Sequence, residues 1–274
     1  MLELCCLTVS ANSSYRHTTE DIALLTGLTI SFKTQQEMVQ SHDFKEPEAH
    51  SLVQEVSIDG GTVRLIPIEG ESSPCWKNYK AVHLAPEGIV GAWIGDNPAL
   101  TKWLNQQPLD MPLVCLGDGH DGIWNLFAKI NPAVQRIEIL DWYHLMENLE
   151  KVAESAILGF PQVQHLFKTG GSTNRLAQAR TLLWQGKVDE TIALFKEWDD
   201  HQAQCFCKYI DGHRNRIPNY DYFQSEEICS IGSGNIEATI KQIASRVKIT
   251  GARWKREHLP KVLAQRTAYL NKAI

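Results

Sequence analysis

Three carboxylates in this chain of 274 residues fall at positions where chemistry is done. Asp59 follows the alternating stretch Val56-Ser57-Ile58 and precedes Gly60-Gly61. Asp118 follows the apolar run Leu113-Val114-Cys115-Leu116 and stands between Gly117 and Gly119. Glu237 comes just after Gly232-Ser233-Gly234, in the first turn of a long helical pattern. Ligands bind at the carboxyl ends of strands in open α/β sheets, and glycines beside an acid let the backbone turn sharply and a bulky substrate approach. A helix N-terminus, with Ser233 or Asn235 as its cap, favours negative groups nearby. Singly, each acid has an ordinary explanation as an Asp-Gly turn or a dipole-complementing carboxylate. Together, three hard oxygen donors converging on one edge repel one another unless divalent cations sit among them. Mg2+ takes carboxylate oxygens and keeps positions open for water and phosphate oxygens. Two such ions clamp the attacking and leaving oxygens of an in-line phosphoryl displacement.

The elements expected to position these acids follow an α/β order. Ile22–Leu25 stops at Thr26-Gly27 and is followed by a second helical run, Phe32 to Val39, the outline either of a helix-turn-helix or of a two-helix cap. From Glu55 strands take over: Val56 to Asp59 turns at Gly60-Gly61 into Val63 to Ile68 as a hairpin, then come Tyr79 to Leu84 and Ile89 to Ile94. Asn97 to Gln107 reads as a helix with Asn97 as cap and Pro98 in the first position. The strand Leu113–Leu116, a helix from about Ile123 to Ile130, the strand Arg136–Leu140 and a helix through His144 and Leu149 indicate parallel crossover units. Beyond Glu150 the pattern is helical, broken at Thr169-Gly170-Gly171-Ser172, with a polar loop from Asp211 to Asn219 and a last long helix to about Ile249. The expected organisation is an N-terminal helical region (1–50), a first part of an α/β core (51–150), an all-helical segment (151–230) and C-terminal helices that complete the core (231–274).

A hydrophobic share of 43% and a charged share of 22% are those of an ordinary globular protein. No apolar run suits a membrane helix, and Met1-Leu2-Glu3-Leu4-Cys5-Cys6 lacks the layout of a signal peptide, so the expected location is the cytoplasm, without a membrane partner. Seven irregularly spaced cysteines fit neither a paired zinc site nor a disulfide framework, so reduced thiols are expected. The formal charge is −5, yet from Ile231 to Ile274 nine basic residues face only Glu237 and Glu257. Such a tail is either a footprint for phosphate or a solvated helical surface. Lys241 and Lys248 follow Glu237 at helical spacings of four and eleven, which places all three on one face, where a DNA backbone would pass. Arg246, Arg253 and Lys255 belong to the same basic tail and complete its candidate phosphate-binding set.

The succession Ser57-Ile58-Asp59-Gly60-Gly61, Leu116-Gly117-Asp118-Gly119, Ile139-Leu140-Asp141-Trp142-Tyr143-His144, Gly232-Ser233-Gly234-Asn235-Ile236-Glu237-Ala238 and Gly251-Ala252-Arg253-Trp254 resembles bacterial insertion-sequence DDE transposases of the ISKra group, which are similar to the Mutator-like superfamily. The resemblance covers about Glu55 to the C-terminus, and the stretch before it looks like a shortened version of the family's region ahead of the core. It implies an α/β, ribonuclease H-like mixed sheet with helices on both faces and an all-α insertion between the second and third acids. It implies that Asp59, Asp118 and Glu237 hold two Mg2+ ions, with Mn2+ able to substitute, Asp59 bridging both. Asp141-x-x-His144 matches the family's D-x-x-H element; a direct role, with His144 among the catalytic residues, stands beside a helix N-cap and a buried polar residue. Trp254 is either a stacking platform for an unpaired base at the element end or plain core.

The implied activity is hydrolysis of a phosphodiester at the transposon end to free a 3′-hydroxyl, then attack of that hydroxyl on target DNA. The partners are double-stranded DNA (transposon ends and target) and further copies of the chain in a homodimeric or larger synaptic complex, in a bacterial, nucleoid-associated setting. Three rivals are weighed: a ribonuclease H-like nuclease without strand transfer, an inactive or domesticated DNA-binding fragment, and a helix-turn-helix regulator.

Overall fold

The computed structural model describes residues 1–71, 73–130, 135–158, 171–198 and 200–274, the side chains of 153–158 and 171–174 excepted. The order of elements is α1 (Leu2–Ser10), α2 (Tyr15–Thr26), α3 (Phe32–Ser41), β1 (Val53–Leu65), β2 (Cys75–Ala85), β3 (Ile89–Ile94), α4 (Asn97–Gln106), β4 (Leu109–Gly117), α5 (Asp121–Phe127), β5 (Arg136–Leu140), α6 (Trp142–Leu158), α7 (Gly171–Trp184), α8 (Val188–Phe195), α9 (His201–Gly212), α10 (Tyr220–Ser225), α11 (Gly234–Val247) and α12 (Leu259–Leu270). The five strands form one mixed sheet in the order β3-β2-β1-β4-β5. β1 to β3 are antiparallel and β4 runs parallel to β5. This α/β arrangement is compatible with a ribonuclease H-like fold.

The expected hairpin at Gly60-Gly61 does not form. β1 continues through both glycines for thirteen residues, so Asp59 lies within the strand and Ile66-Pro67-Ile68 lies outside it. The glycines serve a packing purpose instead: a Cβ on Gly61 would sit 2.2 Å from Cζ of Tyr79, its partner across the ladder. An aromatic ring laid over a strand glycine restores the apolar area that the glycine lacks. The cap of α4 is Asp96, which accepts from the Ala99 amide at 2.9 Å, rather than Asn97. The first helix, α1, precedes any start seen in the sequence; of the anticipated break at Thr169-Gly170-Gly171-Ser172, the first two residues lie outside the described residues and Gly171-Ser172 open α7 rather than interrupt it.

The chain divides into two compact units, Met1–Met111 with Lys129–Asn131 and Gly234–Ile274, and Pro112–Ala128 with Pro132–Ser233. In the first, inward-facing side chains of β1 to β3 (Val63, Leu65, Tyr79, Ala81, Val90) pack against Ile236, Ile243 and Val247 of α11 and Leu259, Val262 and Leu263 of α12. Burial of this kind is the main favourable term in folding. The carbonyl end of α1 is saturated from three directions. Gln35 donates to the Cys6 carbonyl at 3.0 Å, Gln265 to the Leu7 carbonyl at 2.8 Å and the Arg246 Nε to the Ser10 carbonyl at 2.6 Å. Helix C-termini carry orphan carbonyls that side-chain donors satisfy.

In the second unit, β4 and β5 are joined by α5 and followed by helices. Tyr220 donates to the Leu140 carbonyl at 2.7 Å, and the Trp142, Trp184 and Tyr220 rings pack together with centroids 4.8 to 6.0 Å apart. This ties the end of β5 to the helical part of the unit.

Candidate metal centre

β4 and β5 run parallel with Gly117 opposite Leu140, so the next residues, Asp118 and Asp141, leave the carboxyl ends of two neighbouring strands. The Asp141 amide donates to the Gly117 carbonyl at 2.8 Å, extending the ladder by one step. Neighbouring strands are about 5 Å apart, which puts both acids at one edge of this unit. Asp118 accepts from the His120 amide at 2.8 Å and turns the chain into α5, where His120 caps by accepting from Gly122 at 3.0 Å. Gly119 has φ +95 and no room for a Cβ, which would lie 2.5 Å from the Tyr209 hydroxyl. The glycine after Asp118 is therefore required both by backbone angle and by a close neighbour.

Asp141 is fully buried. Its Oδ1 accepts from the amides of Tyr143 at 2.6 Å and His144 at 3.0 Å, which makes it the cap of α6. Its Oδ2 accepts from the Ser233 amide and faces the His144 Nδ1 at 3.5 Å. Burial alone would raise the Asp141 carboxyl, but the hydrogen bonds from His144 and Ser233 outweigh it and the group is held below its ordinary value. His144 is raised to about 9, chiefly by its bond to Asp141, with Glu147 and Asp118 adding negative charge. Tyr209 is a third partner: burial first, then the charges of Asp118 and Asp141, push its hydroxyl upward. No sequence signal marks Tyr209, since it lies far along the chain in α9.

In the first unit Asp59 shares its face of β1 with Gly61, Val63 and Leu65, the face that packs against α11 and α12. Tyr79, opposite Gly61, is buried between Asp59 and α11. Its hydroxyl donates to the Ile240 carbonyl at 3.5 Å, and both burial and the Asp59 charge raise it. Glu237 is in the first turn of α11, 3.7 Å from the Lys241 ammonium.

Asp141 thus holds the amide of Ser233, the last residue of this unit before α11. Within this unit Asp141, buried, and His144, half-buried, each offer a ligand atom that a metal ion could take, and they are both members of the D-x-x-H element.

The expected DNA-binding residues separate. Lys241 and Lys248 are exposed, as are Arg253 and Lys255. Arg246 is not on that surface: it is 1% exposed, with its guanidinium 5.1 Å from the Tyr15 ring and 4.9 Å from the Trp254 ring. Nine residues after Glu237, it points about 180° away around the helix, which corrects its grouping with the two lysines. Trp254 is half-buried, donates from Nε1 to the Val247 carbonyl at 2.8 Å and bridges the edge of β1 at Leu65. Among the described residues, no helix is long and apolar enough to cross a membrane. No family model and no curated protein matches this chain.

Proposed function

We propose that this chain is a DDE-type DNA transposase that cleaves transposon ends and joins them to target DNA. One observation supports the reading: two acids, Asp118 and Asp141, leave the carboxyl ends of the neighbouring parallel strands β4 and β5, with His144 3.5 Å from Asp141. Asp118 leaves the strand beside Asp141, and Asp59 sits on the β1 face that packs against α11. The proposal gathers Asp59, Asp118 and Glu237 around two Mg2+ ions, replaceable by Mn2+. The donor set suits this choice, since carboxylate oxygens are what Mg2+ and Mn2+ take. Divalent ions held there would supply the charge that stabilises an in-line displacement at phosphorus.

The chain's own groups have separate tasks. Near neutral pH His144 carries a proton and is an ion-pair partner of Asp141, which holds that carboxylate in one orientation. Asp141 in turn accepts from the Ser233 amide, which ties the end of this unit's helical part to the edge of β5. Lys241 and Lys248 would meet the DNA backbone beside Glu237.

Calorimetric titration with Mn2+, coupled to an assay on supercoiled plasmid plus cleaved DNA ends, tests the reading. The native chain is expected to bind Mn2+ and give joined products. Asp59→Asn, Asp118→Asn and Glu237→Gln should each lose products, with DNA affinity kept within about threefold, because a carboxamide cannot replace the charge that a metal requires. Metal-dependent cleavage retained in any of the three removes that residue from the centre. Cleavage without joining replaces the transposase by a ribonuclease H-like nuclease. Metal-independent DNA binding alone leaves a DNA-binding fragment.

A further inference from the structure

The outer face of β1 and β2 exposes a tryptophan among cations. The inner face of β1 to β3 is covered by α11 and α12. The outer face is covered only in part, where Trp93 of β3 packs on Trp103 of α4 with ring centroids 4.9 Å apart. Beyond that contact its residues are Gly60, Thr62 and Arg64 of β1, paired in register with Lys80, Asn78 and Trp76 of β2. None of the six is an acid. Trp76 is 52% exposed, and among the described residues no ring or cation is packed on its indole.

Arg64 stands directly across the ladder from Trp76, and opposed residues in an antiparallel pair have their Cβ atoms about 5 Å apart on one face. Arg64, Trp76 and Lys248 line one small cleft of about 120 Å3, walled by Ile249 to Ala252 in the loop after α11. No acid lines it. The Arg64 Nε is buried without a partner, while its terminal amines reach solvent. Lys248 is exposed, and neither cation is in an ion pair among the described residues. Glu71, the acid nearest to Trp76 along the chain, is engaged by Arg256 and by Lys77, which lies on the opposite face of β2.

A flat apolar ring flanked by cations is complementary to a chain that alternates flat rings with anions. Every nucleobase has a π face to lay on an indole, and the phosphates on either side take the cations. We infer that this outer face, with Trp76 as its platform and Arg64 and Lys248 beside it, binds single-stranded nucleic acid. Bases within a duplex are already stacked on one another and have no face to offer, so the platform selects the single strand. An acidic peptide would satisfy the cations but leave the indole wet. The inference stands apart from the metal centre.

The full-length chain, in EDTA so that no strand is cut, is titrated with a fluorescent oligothymidylate, with a duplex of the same length and with a polyglutamate peptide. Saturable binding of the oligothymidylate, tighter than that of the peptide, is expected. Trp76→Ala should weaken it about tenfold or more. Trp76→Phe keeps a flat ring and should recover most of the affinity. Arg64→Gln should make the dependence on log salt shallower by about 0.7, the value for one phosphate contact on a single strand. The phenylalanine and Arg64→Gln variants keep the test decisive if alanine unfolds the strand. No saturable binding of the oligothymidylate, an affinity unchanged in Trp76→Ala, or a phenylalanine variant as weak as alanine overturns the inference. An equal loss of duplex binding in Trp76→Ala also overturns it, because paired bases do not stack there. Preference for the peptide replaces nucleic acid by an acidic protein partner. None of these outcomes bears on metal binding, so the transposase reading stands or falls separately.

Discussion

Asp141→Asn isolates what one buried charge does for this fold. The side-chain oxygen that remains can still accept from the Tyr143 and His144 amides, so the cap of α6 survives. The other position becomes an NH2 group facing the Ser233 amide, which leaves a buried donor without an acceptor at a cost of about 1–3 kcal/mol. His144 loses the partner that lifts it from 6.5 to about 9. At 1.36 kcal/mol per pH unit that lift corresponds to about 3 kcal/mol, reduced to about 2 because the imidazole is partly hydrated. The variant should therefore be less stable by about 3–5 kcal/mol at pH 6 to 7. The pair is stabilising because the folded His144 value lies above the unfolded one. That contribution is complete below about 6.5 and disappears as pH rises through about 9. The carboxyl is lowered from 3.8, so its share is present above that value and is lost only in stronger acid. The difference between native and variant chains, measured by urea unfolding, should shrink from about 3–5 kcal/mol at pH 6 to about 1–3 at pH 10. A proton NMR titration should show the His144 midpoint falling towards 6.5. A stability difference independent of pH, or an unmoved His144 midpoint in the variant, would refute the coupling.

Three other perturbations probe the neighbouring elements. Gly61→Ala puts a Cβ 2.2 Å from Tyr79 and should cost about 1–3 kcal/mol by thermal unfolding, less in a Tyr79→Leu background, and equal costs in both would deny the contact. Trp254→Phe removes the bond to the Val247 carbonyl and should cost about 1 kcal/mol in urea while leaving the loop's exposed cations in place; an unchanged midpoint would show that the indole is not structural. Lys241→Glu with Lys248→Glu should weaken duplex binding and make its dependence on log salt shallower by about two. An unchanged slope would put the DNA track elsewhere.

Some of this was legible because it is local. The apolar run into Gly117-Asp118-Gly119 reads as a strand ending in a turn, and the second glycine is needed there for its positive φ. Gly60-Gly61 misled because the same residue type serves two purposes. Its role in β1 is to admit the Tyr79 ring, whose partner is eighteen residues away in sequence and adjacent only once the ladder has formed. Arg246 was grouped by charge when its angle around α11 already separated it from Lys241 and Lys248. Helical periodicity, applied as strictly to the basic residues as to the apolar ones, places it inside.

Asp141 is the more instructive case, because the sequence offers it as either a helix cap or a member of the site. The two roles use different oxygens. Oδ1 is committed to the amides that open α6, while Oδ2 faces His144 and the Ser233 amide. A cap that also holds the Ser233 amide and the His144 imidazole is under more constraint than either role alone imposes. Glutamate would retain the charge at Asp141 but lengthen the side chain by a methylene, about 1.5 Å, so that it could not serve both sets of partners at once. Asp141→Glu should therefore cost about 1–3 kcal/mol in urea unfolding even though no charge is removed. Native stability in that variant would show that the two sets of bonds do not constrain this carboxylate together.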